Sequence, residues 1–452
     1  MRGLCTFNDY SDLASSTIKS VMSTPMEIKF RSRLSDDEQQ RLISYLSLNE
    51  RSSPIAFEGR DDVRNHIEKR ITVVRETAEP TCSTVVVQGA PGAGKTSLLH
   101  QIKQDALDMP SSSDIIPILI EIEQFNDPVL FLEKFLVHGR GNLESISKSY
   151  SEDGKGTFNL SVLKLEGGIQ SHLPALDQRV RESPGRIWNV IRQSLHPGDN
   201  PIFLLLVDES QRIQPNSGKY NTLLVNLHGA MNIAELRIIS VFAGLSDTRE
   251  RLKDVGPTRL LPKRFNLGTF TEVEGRKVCL STFEKLNVTK LFTDKNLNFI
   301  VHQLEYASDR WPRHLHCCLH HFINEISDAQ RKKKDHFDLN KVLDLGNDDR
   351  ITYYQEQLEF IEPDLSDAVL NLAKLQKDKK VFNYKDIKVA FLDCFSNSKE
   401  LLAFVNLCVH KGVLDRNLDR TYSFPIPSLK TFLANDMDAD RTKEILRERM
   451  RE

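Results

Sequence analysis

Gly89-Ala90-Pro91-Gly92-Ala93-Gly94-Lys95-Thr96 fits every fixed position of the glycine-rich loop that cradles phosphate groups. Each residue type in it has a chemical task. The glycines let backbone N–H groups close around a β-phosphate, and the N-terminus of the helix that follows adds its positive dipole end to the same anion. Lys95 can reach the β- and γ-phosphates, the Thr96 hydroxyl can ligate Mg2+, and Ser97 continues the loop into the helix. The flanks match this reading. The β-branched run 84–87 precedes the loop, and apolar residues return at helical spacing over 97–102, so the order is strand, loop, helix.

A phosphate loop needs an acidic partner at the end of a neighbouring strand, and Ile202-Phe203-Leu204-Leu205-Leu206-Val207-Asp208-Glu209 supplies it. A continuous apolar run is what a strand covered on both faces looks like, and it carries both carboxylates to the carboxyl edge of the sheet. Asp208 is expected to hold the Mg2+ shell and Glu209 to polarise an attacking water, an arrangement for hydrolysis as well as binding. The expected ligands are therefore ATP and Mg2+.

The elements that must position these groups are also readable. Residues 114–122 form a further buried strand, 186–195 a helix leading into the Asp208 strand, 236–244 another apolar strand, and 264–267 a last short one. Strands alternating with helices predict an α/β fold, a parallel sheet sandwiched by helices. Residues 139–181 are polar and Gly/Ser-rich, with a hairpin pattern at 157–165, and are expected to be a surface insertion.

The chain has 452 residues with 61 Lys and Arg against 63 Asp and Glu, a balance that points to no whole-protein field for nucleic acid or membrane. Seven cysteines without paired short spacings fit neither a disulfide framework nor a zinc site. The N-terminus lacks an apolar leader and no stretch approaches the roughly 20 apolar residues of a spanning helix, so a reducing cytoplasm is the expected location.

In its order of motifs the chain resembles AAA+ P-loop ATPases, in the branch shared by origin-recognition/Cdc6-like proteins, the STAND signalling ATPases and transposon target-selection ATPases. The resemblance covers residues 56–428. It implies that Phe57-Glu58-Gly59-Arg60 is the box near the adenine, with Gly59 and Arg60 in the nucleotide site. It also implies that Ser246, with Asp247 and Thr248 as alternatives, is sensor 1, that Arg259 is the finger given to a neighbouring subunit, and that Arg313 is the sensor 2 arginine. A guanidinium suits the last two tasks because its planar, permanently charged fork matches the oxygens of a transferring phosphoryl group.

The same comparison divides the chain into an N-terminal extension (1–53), the nucleotide-binding domain (54–281), a helical lid (282–345), a winged-helix-like domain (346–435) and a charged tail (436–452). His314, His316, His320 and His321 lie in the lid, where no carboxylate or cysteine spacing completes a metal site. Three helical patterns (367–373, 384–391, 399–411) followed by a hairpin (412–416 with 421–424) make the winged helix. Its lysines are interspersed with Asp378, Asp386, Asp393, Asp415 and Asp419, which leaves it near neutral.

The expected function is an Mg-dependent ATPase that forms homo-oligomers when ATP-bound and acts on DNA or a DNA-bound partner, in mobile-element control or phage defence. The alternative is a STAND-type scaffold whose nucleotide state gates protein contacts without DNA.

Overall fold

Four stretches rich in β-branched and aliphatic residues and a short fifth strand build the sheet that carries the glycine loop. In the computed structural model, the described residues are 26–46, 56–77, 79–110, 114–121, 188, 191–192, 195, 200–212, 234–255, 263–361, 365, 369–374, 381–391, 394–417 and 419–434. The elements through the end of the sheet are β1 (Glu27–Lys29), α1 (Asp36–Leu46), α2 (Asp61–Thr77), β2 (Thr81–Gln88), α3 (Lys95–Asp108), β3 (Ile115–Glu121), β4 (Ile202–Asp208), β5 (Arg237–Gly244), α4 (Thr248–Val255) and β6 (Lys263–Asn266). There follow α5 (Glu272–Lys285), α6 (Asp294–Ala307), α7 (Pro312–Arg331), β7 (His336–Asp338), α8 (Leu339–Leu358), α9 (Tyr384–Ala390), α10 (Ser398–His410), β8 (Asp415–Arg416), β9 (Tyr422–Ser423) and α11 (Pro427–Ala434).

The chain divides into two units, Met1–Gly59 with Thr269–Glu356, and Arg60–Gly268 with Gln357–Glu452. In the second unit the strands run in the order β3-β4-β5-β2-β6, and every pairing is parallel. Every residue of β4 and β5 is buried, Arg237 and Ser240 of β5 included, as expected of strands whose two faces are covered by helices. Burying each large aliphatic or aromatic side chain of these strands contributes roughly 1.5–3 kcal/mol. Because β5 lies between β2 and β4, the loop after it is delivered next to both the glycine loop and Asp208. The five strands expected from composition are all present, each within about two residues of its predicted limits at the carboxyl end.

The C-terminal part of this unit has helical residues at 369–374, then α9, α10, the antiparallel β8–β9 hairpin and α11. Asn383 and Asn397 cap α9 and α10 by accepting hydrogen bonds from the backbone N–H groups of their first turns.

The first unit is mainly helical. Its core gathers Phe283, Phe292, Phe322 and Phe337 with aliphatic residues of α5, α6, α7 and α8. A reciprocal capping box starts α5, where Thr271 and Glu274 each bond the other's backbone N–H. The strand β1 pairs with β7, register Glu27 to Asp338, although the two are some 300 residues apart in sequence.

Among the described residues no helix is long and apolar enough to cross a membrane. The insertion 139–181, the hairpin pattern at 157–165, Arg259 and the tail 436–452 lie outside the described residues.

Candidate nucleotide site

The glycine loop leaves β2 at Gln88 and returns as α3. Its turn needs left-handed backbone at Gly92 (φ 79°) and Gly94 (φ 86°), where a side chain would be strained. Ala93 N–H donates to Ala90 O at 3.1 Å to close the turn, and Gly89 N–H donates to Gly244 O at 3.1 Å to anchor the loop to β5. Gly94 caps α3 without a side-chain acceptor, so no capping group occupies the first-turn N–H groups of this helix. Those N–H groups and the dipole behind them remain available to an anion.

Lys95 is buried, and its Nζ donates to Gly89 O (2.8 Å) and Ala90 O (3.0 Å), folding the side chain back over its own loop. Burial pushes its pKa down, while Asp208, Glu209 and Asp415 oppose that shift. Three carboxylates therefore bear on one ammonium.

The Thr96 hydroxyl donates to Asp208 Oδ2 at 2.6 Å, which joins the start of α3 to the end of β4 across 112 residues of sequence. Asp208 Oδ1 accepts from Glu209 N–H at 2.9 Å. A hydroxyl and a carboxylate held together are hard oxygen donors of the kind Mg2+ accepts. The unspent N–H groups, the ammonium and this oxygen pair fit a Mg–nucleoside phosphate.

Glu209 is held in a left-handed conformation (φ 54°), a strained state for a residue with a side chain. Its carboxylate receives a hydrogen bond from Gln211 Nε2 at 2.7 Å and faces Arg212 Nε at 3.5 Å, with about a third of the side chain exposed (35%). Gln211 is itself buried, and its Oε1 accepts from Leu245 N–H at 3.2 Å. Gln88 does the corresponding work from β2, where its Nε2 donates to Leu245 O (3.1 Å) and Ser246 O (2.5 Å). Two glutamines thus tie the loop after β5 to both motif strands. Sequence spacing does not single them out, because a neutral amide gains this role only through strand order.

Ser246 is buried at the tip of this loop and lies beside the Asp415 carboxyl. Asp247, the next residue, is engaged elsewhere: Arg251 Nε donates to its Oδ2 at 2.6 Å. Arg60 (φ 60°) opens α2, and its Nη2 donates to Gly268 O at 2.5 Å. Gly59 (φ 78°) belongs to the first unit, where Glu58 Oε1 accepts from the Ser281 hydroxyl at 2.7 Å. Arg313 also belongs to that unit, its guanidinium 4.6 Å from the Tyr353 ring centroid. Of the α7 histidines, His314 is buried between Tyr353 and Tyr354, and His321 Nε2 lies 2.7 Å from Asp349 Oδ2.

Among solved structures the chain is similar to the Walker-type ATPase PABY2304 of Pyrococcus abyssi, with 14% identity and a TM-score of 0.52 over 86% of this chain and 99% of that one. It is similar to the Aeropyrum pernix ORC2 protein in its ADPNP-ADP complexes, with 12% identity and a TM-score of 0.54 over 92% and 99% of the two chains. The ADP form of that ORC2 protein gives 13% identity and a TM-score of 0.52 over 93% and 98%. At these identities the likeness establishes the fold: a P-loop AAA+ sheet with flanking helices and a helical C-terminal region. No family model matches the chain, and no curated protein matches its sequence.

Proposed function

We propose that this protein is an Mg2+-dependent ATPase that works as a nucleotide-controlled assembly switch on DNA or a DNA-bound partner. The observation that carries the reading is the Thr96–Asp208 hydrogen bond at 2.6 Å, which brings the metal-binding halves of two distant motifs together beside Lys95. The ADPNP and ADP complexes named for the similar ORC2 protein support the same ligand class.

In this reading the loop 89–97 wraps the phosphates, Lys95 swings from the carbonyls of Gly89 and Ala90 to the β- and γ-phosphates, and Thr96 and Asp208 hold Mg2+. Bound Mg2+ would neutralise charge between the β- and γ-oxygens. Glu209 orients and deprotonates the water, aided by its strained backbone and by Gln211. Ser246 senses the γ-phosphate, and Gly59 and Arg60 form the turn on the adenine side. Arg259 completes a neighbour's site in the assembled form and Arg313 acts from the helical lid. The three C-terminal helices and the β8–β9 hairpin make up a winged helix that contacts DNA or the partner.

The test is phosphate release by wild type and Glu209→Gln. The variant is expected to bind MgATP as wild type does and to turn it over about 10²–10⁴ times more slowly. Unchanged turnover removes Glu209 from the role of base.

A further inference from the structure

The hairpin segment after α10 lies on the glycine loop of its own chain, within the same structural unit. Gly412 (φ 75°) is buried, and a Cβ built on it would come within 2.5 Å of Pro91 Cδ and 3.3 Å of Leu245 Cδ2. Only a glycine backbone fits so closely against the loop. The end of α10 is clasped next to it, where Arg251 Nη2 lies 3.1 Å from His410 Nδ1 while Arg251 Nε donates to Asp247.

Three residues beyond Gly412, Asp415 opens β8 in register with Ser423, and its Oδ1 is sealed from solvent. Burial pushes the pKa of this carboxyl up, and the Ser246 hydroxyl, the Arg264 guanidinium and the Lys95 ammonium oppose that shift by favouring its charged form. Arg264 stands on β6 with its Nε committed to Asn266 Oδ1 at 2.8 Å. An acid has thus been placed beside Lys95 and Ser246, the two groups that the proposed site would offer to a terminal phosphate. A second anion in the same enclosed place would be strongly repelled.

We propose that Asp415 sets the discrimination between ATP and ADP, its carboxylate holding the place beside Lys95 and Ser246 that a γ-phosphate needs, so that ATP binds only as the Gly412–Arg416 segment withdraws. The inference rests on the loop 89–97 being a nucleotide site. ADP, one phosphate shorter, leaves the segment seated. Binding of ATP is thereby coupled to release of the C-terminal helices from the loop, and the free energy of that release is subtracted from ATP affinity.

The experiment uses the full chain with Mg2+ and a fluorescent ADP, displaced in turn by ADP and by a non-hydrolysable ATP analogue, in wild type and Asp415→Asn. Asparagine keeps the shape and removes the charge. The expected result is a gain in analogue affinity of at least about tenfold, with ADP affinity changed by less than about threefold. Fluorescent ADP binding with an unchanged ratio of the two affinities overturns the role of Asp415 and leaves the nucleotide site standing. No binding of fluorescent ADP by either protein overturns the site and this inference with it. Hydrogen exchange on wild type gives a reading that needs no variant: amides of 412–416 are expected to exchange faster with the ATP analogue than with ADP, and equal protection overturns the displacement.

Discussion

Gln211→Ala is the substitution whose consequences can be worked furthest from the geometry, because one buried amide serves two partners with different fates. Its Nε2 donates to Glu209 Oε2 at 2.7 Å and its Oε1 accepts from Leu245 N–H at 3.2 Å. Truncation leaves the Leu245 N–H, on a buried residue, without its acceptor, which costs about 1–3 kcal/mol of folding stability. The bond to the Glu209 carboxylate is charge-assisted and is worth roughly 1.5–3 kcal/mol when water is excluded. Glu209 is 35% exposed, so water replaces much of that bond in the folded state, and its loss bears on orientation more than on stability. Once free to rotate, a base in a strained backbone conformation spends less time aimed at the water. A loss of about 1.4–2.7 kcal/mol in the transition state corresponds to a turnover about 10–100 times slower. Phosphate release as a function of MgATP, together with urea denaturation, separates the two effects. The expected outcome is a lower kcat at unchanged nucleotide affinity, with a lower denaturation midpoint. A kcat within about twofold of wild type in a protein that shows the stability loss refutes the positioning of Glu209 by Gln211.

Two further outcomes follow from other parts of the molecule. His314 is buried between two tyrosines, and burial, with Arg350 and Arg313 nearby, depresses its pKa from 6.5 to about 3. Because the folded pKa lies below the unfolded one, the contribution is complete above pH 6.5 and is lost as pH falls toward 3, about 2 kcal/mol between pH 6.5 and 5. His314→Phe should flatten the pH dependence of the urea midpoint over that range, and an identical slope in both proteins contradicts the assignment. For the C-terminal helices, a gel shift with duplex DNA should show binding that weakens steeply as salt rises, since phosphate contacts release counterions. No shift at low salt, with or without ATP, would favour a nucleotide-gated protein scaffold instead.

The parts of the fold legible in the sequence are those governed by burial. Residues 202–207 are a continuous apolar run and 238–243 an apolar run broken only by Ser240, because helices cover both faces of the sheet, so their strand character shows without any tertiary knowledge. The glycine loop is legible for a different reason, since its backbone demands a side-chain-free residue at Gly94. Pairings set by distant chain segments are not legible. β1 and β7 have three residues each, too few to display a period, and find each other only in the folded unit. Gln88 and Gln211 look like ordinary polar residues until β5 is placed between β2 and β4. In the sequence Asp415 is one of several acids interspersed among the C-terminal lysines, and only the folded chain brings it to bear on Lys95.

The central claim is that the loop 89–97 binds a Mg–nucleoside phosphate through Lys95. Isothermal titration of MgATP and MgADP into wild type and Lys95→Ala tests it directly. Saturable binding of both nucleotides by wild type, weakened at least about a hundredfold in a folded Lys95→Ala protein, is the predicted result. Absence of binding by wild type, or equal affinity in the variant, contradicts it.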